Sequence, residues 1–205
     1  IRNPENHPPM IGNPNIMDTG FPDFYVNAIG KNGERKNPKP EVVTEWLNEQ
    51  DDMYSEVVWN VMRMLRLSAD HQQYFLDNYD KYKDLFGQTE VDAMIDNIVN
   101  TRFGKAIQEK DEAAMESIIS LVEEYQPERD AATSLRISFY QYTEDWQNLL
   151  GAVKKLIEEK GYEESTSRIN DVSWTLYEKC DEQEILAEAT EWMKEVTNLE
   201  PTYMF

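Results

Sequence analysis

The chain is poor in the residues from which most chemical centres are built. Its 205 residues include one cysteine, Cys180, so the sequence as given can form neither an internal disulfide nor a Cys-x-x-Cys redox pair. The flanking Asp181 and Glu182 give that thiol none of the positive surroundings that activate one, and it reads as inert and half-buried. The two histidines, His7 and His71, have no cysteine or histidine at ligand spacing, which excludes a recognisable zinc motif; His71, beside Asp70 on a helix, reads as an exposed side chain. Eight scattered glycines form no phosphate-cradling loop. No apolar run approaches the roughly 18 residues of a membrane span. Twenty basic residues stand against 40 acidic ones, and the net charge of −20 repels nucleic acid and anionic lipid alike. No motif calls for a cofactor or a metal. No signal peptide is recognisable, but the opening IRNPENHPPMIGNPN has no initiating methionine, so a piece upstream is expected.

What is present argues for a folded, helical protein. The chain is 40% apolar and carries eleven Tyr, seven Phe and five Trp, and its acids are spread along it rather than gathered in a tail. With so many carboxylates, pairs occur at any useful distance by chance, and no acid–base dyad can be singled out. The organising stretch is an acidic helical array from about Glu90 to Pro201. Within it Met115, Ile119, Val122 and Pro127 share a spacing with Leu149, Val153, Leu156 and Gly161, and with Ala189, Met193, Val196 and Pro201. In each set three apolar residues line one helix face and a helix breaker follows. The stops lie 34 and then 40 residues apart, the period of stacked helix pairs.

Before the array the chain changes character twice. Residues 1–19, with Pro4, Pro8, Pro9 and Pro14, suit an extended arm. In FPDFYVNAIGKNGERKNPKP the alternation of Phe24, Val26 and Ala28 predicts a strand, Asn32-Gly33 a hairpin turn, and Glu34 to Lys36 a second strand. Pro40 then suits the first position of a helix that would turn Val42, Val43, Trp46 and Leu47 toward the hairpin. Asp51 and Asp52 suit the start of the next helix, and its apolar stripe runs from Tyr54 to about Leu67. Ser68 caps a further helix, Gly87 ends the aromatic-rich stretch that follows, and the clustered aromatics between Tyr74 and Phe86 read as packing between helices.

The run GFPDFYVNAIGKNGERKNPKPEVVTEWLNEQ resembles the C-terminal half of a thioredoxin fold. In that family the proline matched by Pro22 lies against the redox dithiol and exposes the preceding residue to substrate, which implies substrate-binding roles for Phe21 and Pro22. Residues 20–50 would then be a partial thioredoxin-like ββα segment. The turn YTEDW, an aromatic helix end followed by acids and a second aromatic, resembles the inter-helix turn of tetratricopeptide repeats. On that pattern EKCDEQEI is a turn lengthened by four residues. Together the two likenesses resemble bacterial envelope proteins of the thioredoxin family with a helical extension, which implies a periplasmic or exported protein.

The fold expected is thus mainly α: a helical-hairpin, tetratricopeptide-like α-solenoid over residues 51–205, preceded by the thioredoxin-like hairpin and helix. At least one further helix is expected after Phe205. The function expected is a protein–protein interaction module that holds a peptide or partner domain, with Tyr140, Trp146 and Trp174 as anchors. The alternative is a thiol–disulfide oxidoreductase whose Cys-x-x-Cys half lies upstream; no catalytic residue is expected within this chain.

Overall fold

The computed structural model describes residues 20–29, 37–129 and 131–199. All regular structure among them is helical, ten α-helices and one short 3-10 turn with no strand. The chain divides into two compact units after Asn97, inside a helix, whereas composition places the change of character after residue 50.

In the first unit the expected strand is a helix, α1 (Asp23–Ile29). The Pro22 carbonyl accepts from the amides of Tyr25 and Val26 at 2.9 and 3.2 Å, and so opens the first turn. Three alternating apolar residues are too short a pattern to separate period 2 from period 3.6. Tyr25 and Ala28, three apart, are the pair that is buried, as a helix requires. This overturns the thioredoxin-like hairpin. The expected turn at Asn32-Gly33 and the second strand, Glu34 to Lys36, lie outside the described residues.

Pro40 does start α2 (Pro40–Asn48), which buries Val43 and Leu47. Val42 is left exposed, and Trp46 meets Phe24 edge-on at 5.8 Å. The acidic pair does not cap the next helix. Asp52 Oδ1 instead accepts from the Tyr54 amide at 2.9 Å in a turn, and α3 (Glu56–Met64) starts shortly afterwards under Ser55, whose Oγ accepts from Val58 N. Ser68 caps α4 (Ala69–Asp77) as its sequence predicts. Its Oγ also lies 2.9 Å from His71 Nδ1, and this contact, with packing, takes His71 to 7% exposure where the sequence suggests an exposed side chain.

The aromatic-rich stretch packs inward. From α5 (Tyr79–Phe86), Phe86 stacks on Trp59 at 4.7 Å and Tyr82 lies 5.4 Å from the same indole. The Tyr82 hydroxyl satisfies itself by donating to the Met53 carbonyl at 3.0 Å. Gly87, at φ 89°, ends the helix, and α6 (Gln88–Glu109) begins immediately.

The second unit is a run of helices joined by short turns. After α6, Lys110 takes a left-handed φ of 52° and Asp111 caps α7 (Glu112–Tyr125) by accepting from Ala114 N at 2.9 Å. Pro127 stands in the 3-10 turn that follows, Pro127–Arg129. After α8 (Ala132–Thr143), Glu144 takes a φ of 60° and Asp145 caps α9 (Trp146–Lys179) by accepting from Asn148 N. Left-handed residue and aspartate cap therefore recur at an interval of 34 residues. Gly161, at φ 75° and ψ 171°, breaks α9 into segments 146–160 and 162–179. The last helix is α10 (Gln183–Leu199). The turn before α10 spans residues 180–182, against two residues at 110–111 and at 144–145, so it is lengthened by one residue rather than four.

The three apolar sets found in the sequence are buried in register. Met115, Ile118, Ile119 and Val122 correspond to Leu149, Ala152, Val153 and Leu156, and these to Ala189, Trp192, Met193 and Val196. Polar contacts between neighbouring helices follow the same order. Arg136 holds Glu116 with two hydrogen bonds, at 2.8 and 2.5 Å, and ties α8 to α7. Gln141 donates to Thr175 Oγ1 at 2.6 Å and Arg168 to Ser138 Oγ at 2.5 Å, which ties the second segment of α9 to α8. Lys154 meets Glu188 at 3.0 Å, joining the first segment of α9 to α10.

Candidate functional site

The second segment of α9 turns its aliphatic stripe, Ile169, Val172 and Leu176, fully inward. Trp174 and Tyr177 sit off that stripe, so they project beside the core rather than into it. Trp174 is 43% exposed and Tyr177 74%, and the rings meet edge-on at 5.8 Å. Facing them, α10 buries Ile185, Ala189, Trp192, Met193 and Val196, and of these Ala189 and Met193 line the floor beside the less buried Leu186 and the exposed Thr190. The result is a groove of about 430 Å³ between the two helices, floored by apolar side chains and bordered by Asn170 and Ser173. Ser173 is 9% exposed, and its hydroxyl has no hydrogen-bond partner. The oxygen itself is buried beneath the apolar floor.

Trp146 occupies a different depression, of about 410 Å³, where the successive inter-helix turns come together. It is half-buried as the first residue of α9. Four carboxylates border it, and each already has a structural task. Glu112 accepts from the Tyr140 hydroxyl at 2.5 Å and Glu144 meets Lys179 at 3.5 Å, while Asp145 caps α9 and Glu182 accepts from Gln147 at 3.0 Å. Lys110 closes the remaining side by donating to the Thr143 carbonyl at 2.9 Å. The charge of this depression is spent on holding turns together.

Tyr140 is 7% exposed, and burial followed by its bond to Glu112 pushes its hydroxyl well above the usual phenol range. It is a member of the α7–α8 contact with no face left for a partner. Phe21 and Pro22 lie in the first unit, both half-buried. Phe21 stacks on Tyr25 at 4.7 Å and Pro22 opens α1, so both serve the local helix. Cys180 is 4% exposed, more deeply buried than its sequence context suggests. Tyr177 and Leu186 are groove residues that the sequence does not single out as anchors. The available signal is the i, i+3 aromatic pair displaced from an aliphatic stripe.

Among the described residues no group of three or more His, Cys, Asp and Glu is arranged to hold a metal, and no helix is long and apolar enough to cross a membrane. Comparison with known proteins gives no match: no family model, no curated protein and no solved structure is significantly similar to this chain. With no strand among the described residues and no relative, the resemblance to thioredoxin-family proteins with a tetratricopeptide-like extension does not hold. The oxidoreductase reading and the substrate roles of Phe21 and Pro22 rested on it.

Proposed function

We propose that this protein is a protein-binding module whose helical hairpins stack as an α-solenoid and whose last described hairpin receives a partner. The stacking is supported by the 34-residue interval between its capped turns and by contacts between hairpins at Gln141–Thr175 and Lys154–Glu188, each spanning the same 34 residues. The observation that carries the binding role is the exposed Trp174–Tyr177 pair over an apolar groove. Large aromatic side chains left half in water cost solvation free energy. In binding surfaces such groups supply a large share of the contact energy once covered.

Selection of random displayed peptides on the whole folded chain tests this reading. Selected binders are expected to lose at least tenfold in affinity on Trp174→Ala or Tyr177→Ala, with the circular dichroism spectrum unchanged. Binders that are indifferent to both substitutions, or repeated failure to select any, would sink it.

A further inference from the structure

We infer that the groove between the second segment of α9 and α10 takes an amphipathic helix with cationic flanks. This inference rests on the proposed binding role and adds the chemical class of the partner.

The groove's dimensions call for a helix. Asn170 to Tyr177 on one wall and Leu186 to Met193 on the other each advance seven residues, about 10 Å of helix axis. That is two turns, the length of an apolar stripe at i, i+4 and i+7. An extended peptide would bring unpaired backbone N–H and C=O groups against this surface, and the lining offers them few polar atoms, those of Asn170, Trp174, Tyr177 and Thr190. A helix satisfies its own backbone and needs only an apolar face.

Charge selects which helix. Residues 162–199 carry ten acids against three bases, and each base is already engaged. Arg168 binds Ser138 and lies 3.6 Å from Asp171, Lys179 meets Glu144, and Lys194 meets Glu191 at 2.6 Å. Helix periodicity places Glu178 four residues from Trp174, beside the groove wall. An acidic occupant would meet a net excess of acid on these helices, whereas Lys or Arg flanking the apolar stripe would meet complementary charge.

The chain shows the same mode of docking on its own preceding helices. Incoming α8 sets Arg136 on Glu116 of α7, and the incoming second segment of α9 sets Arg168 on the Ser134 carbonyl at 3.3 Å and on Ser138 Oγ. Seven residues after Arg168, Thr175 accepts from Gln141. At both of these steps, a helix arrives with an arginine and lies along its neighbour.

Three fluorescein-labelled 16-residue peptides test this against the whole chain by fluorescence anisotropy. All carry Leu or Met at i, i+4, i+7 and i+11; one has Lys and Arg flanks, one has Glu flanks, and one is the basic peptide interrupted by two prolines. The basic helix is expected to bind, to weaken at 0.5 M salt, and to lose at least tenfold on Trp174→Ala and on Tyr177→Ala. The Glu-flanked and proline peptides are expected to bind at least tenfold more weakly. Equal binding of the acid and basic helices, or a proline peptide as good as the basic one, would overturn the partner class while leaving the binding module standing. Binding of the basic helix that ignores both aromatic substitutions would mean adsorption to the acidic surface and would overturn the site. Absence of binding by all three at millimolar concentration also overturns the inference, and the peptide selection above then judges the module by itself. Concentration-dependent self-association abolished by Trp174→Ala would assign the groove to a second copy of the chain and refute the cationic helix.

Discussion

Replacing Gly161 by alanine should destabilise the protein although it removes no contact. Gly161 sits at φ 75° and ψ 171°, a region almost closed to residues with a Cβ, and it is the only point of α9 at which the backbone leaves helical geometry. An added Cβ meets nothing within 4 Å, so the effect is conformational rather than steric crowding with neighbours. Forcing an L-residue into that region costs about 1–3 kcal/mol, and the loss of unfolded-chain freedom returns about 0.4–1 kcal/mol. The net expected loss is about 1–2 kcal/mol. At about 2–4 °C per kcal/mol for a chain of this size, the melting temperature should fall by roughly 3–6 °C. Gly104 and Gly151 provide the control. Both lie within helices, neither has a positive φ, and a Cβ added at either would meet no atom within 4 Å. Gly104→Ala and Gly151→Ala should each stabilise by about 0.5–1 kcal/mol. Chemical denaturation of the three variants reads the sign directly. If Gly161→Ala stabilises as the other two do, α9 is one continuous helix and the last hairpin does not exist.

Other perturbations probe the contacts between helices. A double-mutant cycle of Glu116→Gln and Arg136→Ala should give a coupling of about 0.5–1 kcal/mol, since the pair is bidentate yet partly solvated. The Arg136 guanidinium holds the Glu116 carboxyl below its usual range, so this contribution is complete above about pH 4.5 and is lost as the pH falls through the lowered value. Burial lowers His71 from its ordinary 6.5, with Asp70 opposing more weakly. Below pH 6.5 the unfolded chain therefore takes up a proton that the folded one refuses. Denaturation midpoints should fall as the pH drops below about 6.5, by less in His71→Gln, and equal falls in the two proteins would refute the assignment. Asp111→Ala and Asp145→Ala remove equivalent caps and should each cost about 1 kcal/mol in urea denaturation; a negligible effect at either would deny the repeated turn.

Much of the helical architecture is legible in the sequence because its signals are local. Asp111, Ser68, Pro40, Gly87 and Gly161 act on backbone groups a few residues away, and each performs the task its type and position imply. The buried apolar sets at 115, 149 and 189 are legible for the same reason, since helix periodicity fixes one face wherever it persists. The sequence misleads where a pattern is too short or depends on distant chain. The six residues FYVNAI fit period 2 and period 3.6 equally well, and only the burial of Tyr25 with Ala28 distinguishes them. Asp52 and Ser55 both suit a helix start by type, and it is Ser55 that caps α3 while Asp52 closes the preceding turn. His71 and Tyr140 are buried with polar partners, Ser68 and Glu112, the latter on another helix. No proline or glycine marks the division after Asn97, because α6 passes through it unbroken. Of the three aromatic anchors expected from sequence, Trp174 lines the apolar groove, Trp146 lines the acidic turn depression, and Tyr140 is enclosed. Their surroundings, rather than their type, separate them.

The most direct test follows the five tryptophan indole N–H resonances while the basic amphipathic helix is titrated into the whole protein. The Trp174 resonance should move progressively, while those of Trp59 and Trp192, 3% and 2% exposed, stay in place. Movement of Trp146 with Trp174 unchanged, or no movement at any indole under conditions where the peptide binds, would contradict the assignment of the groove as the binding face.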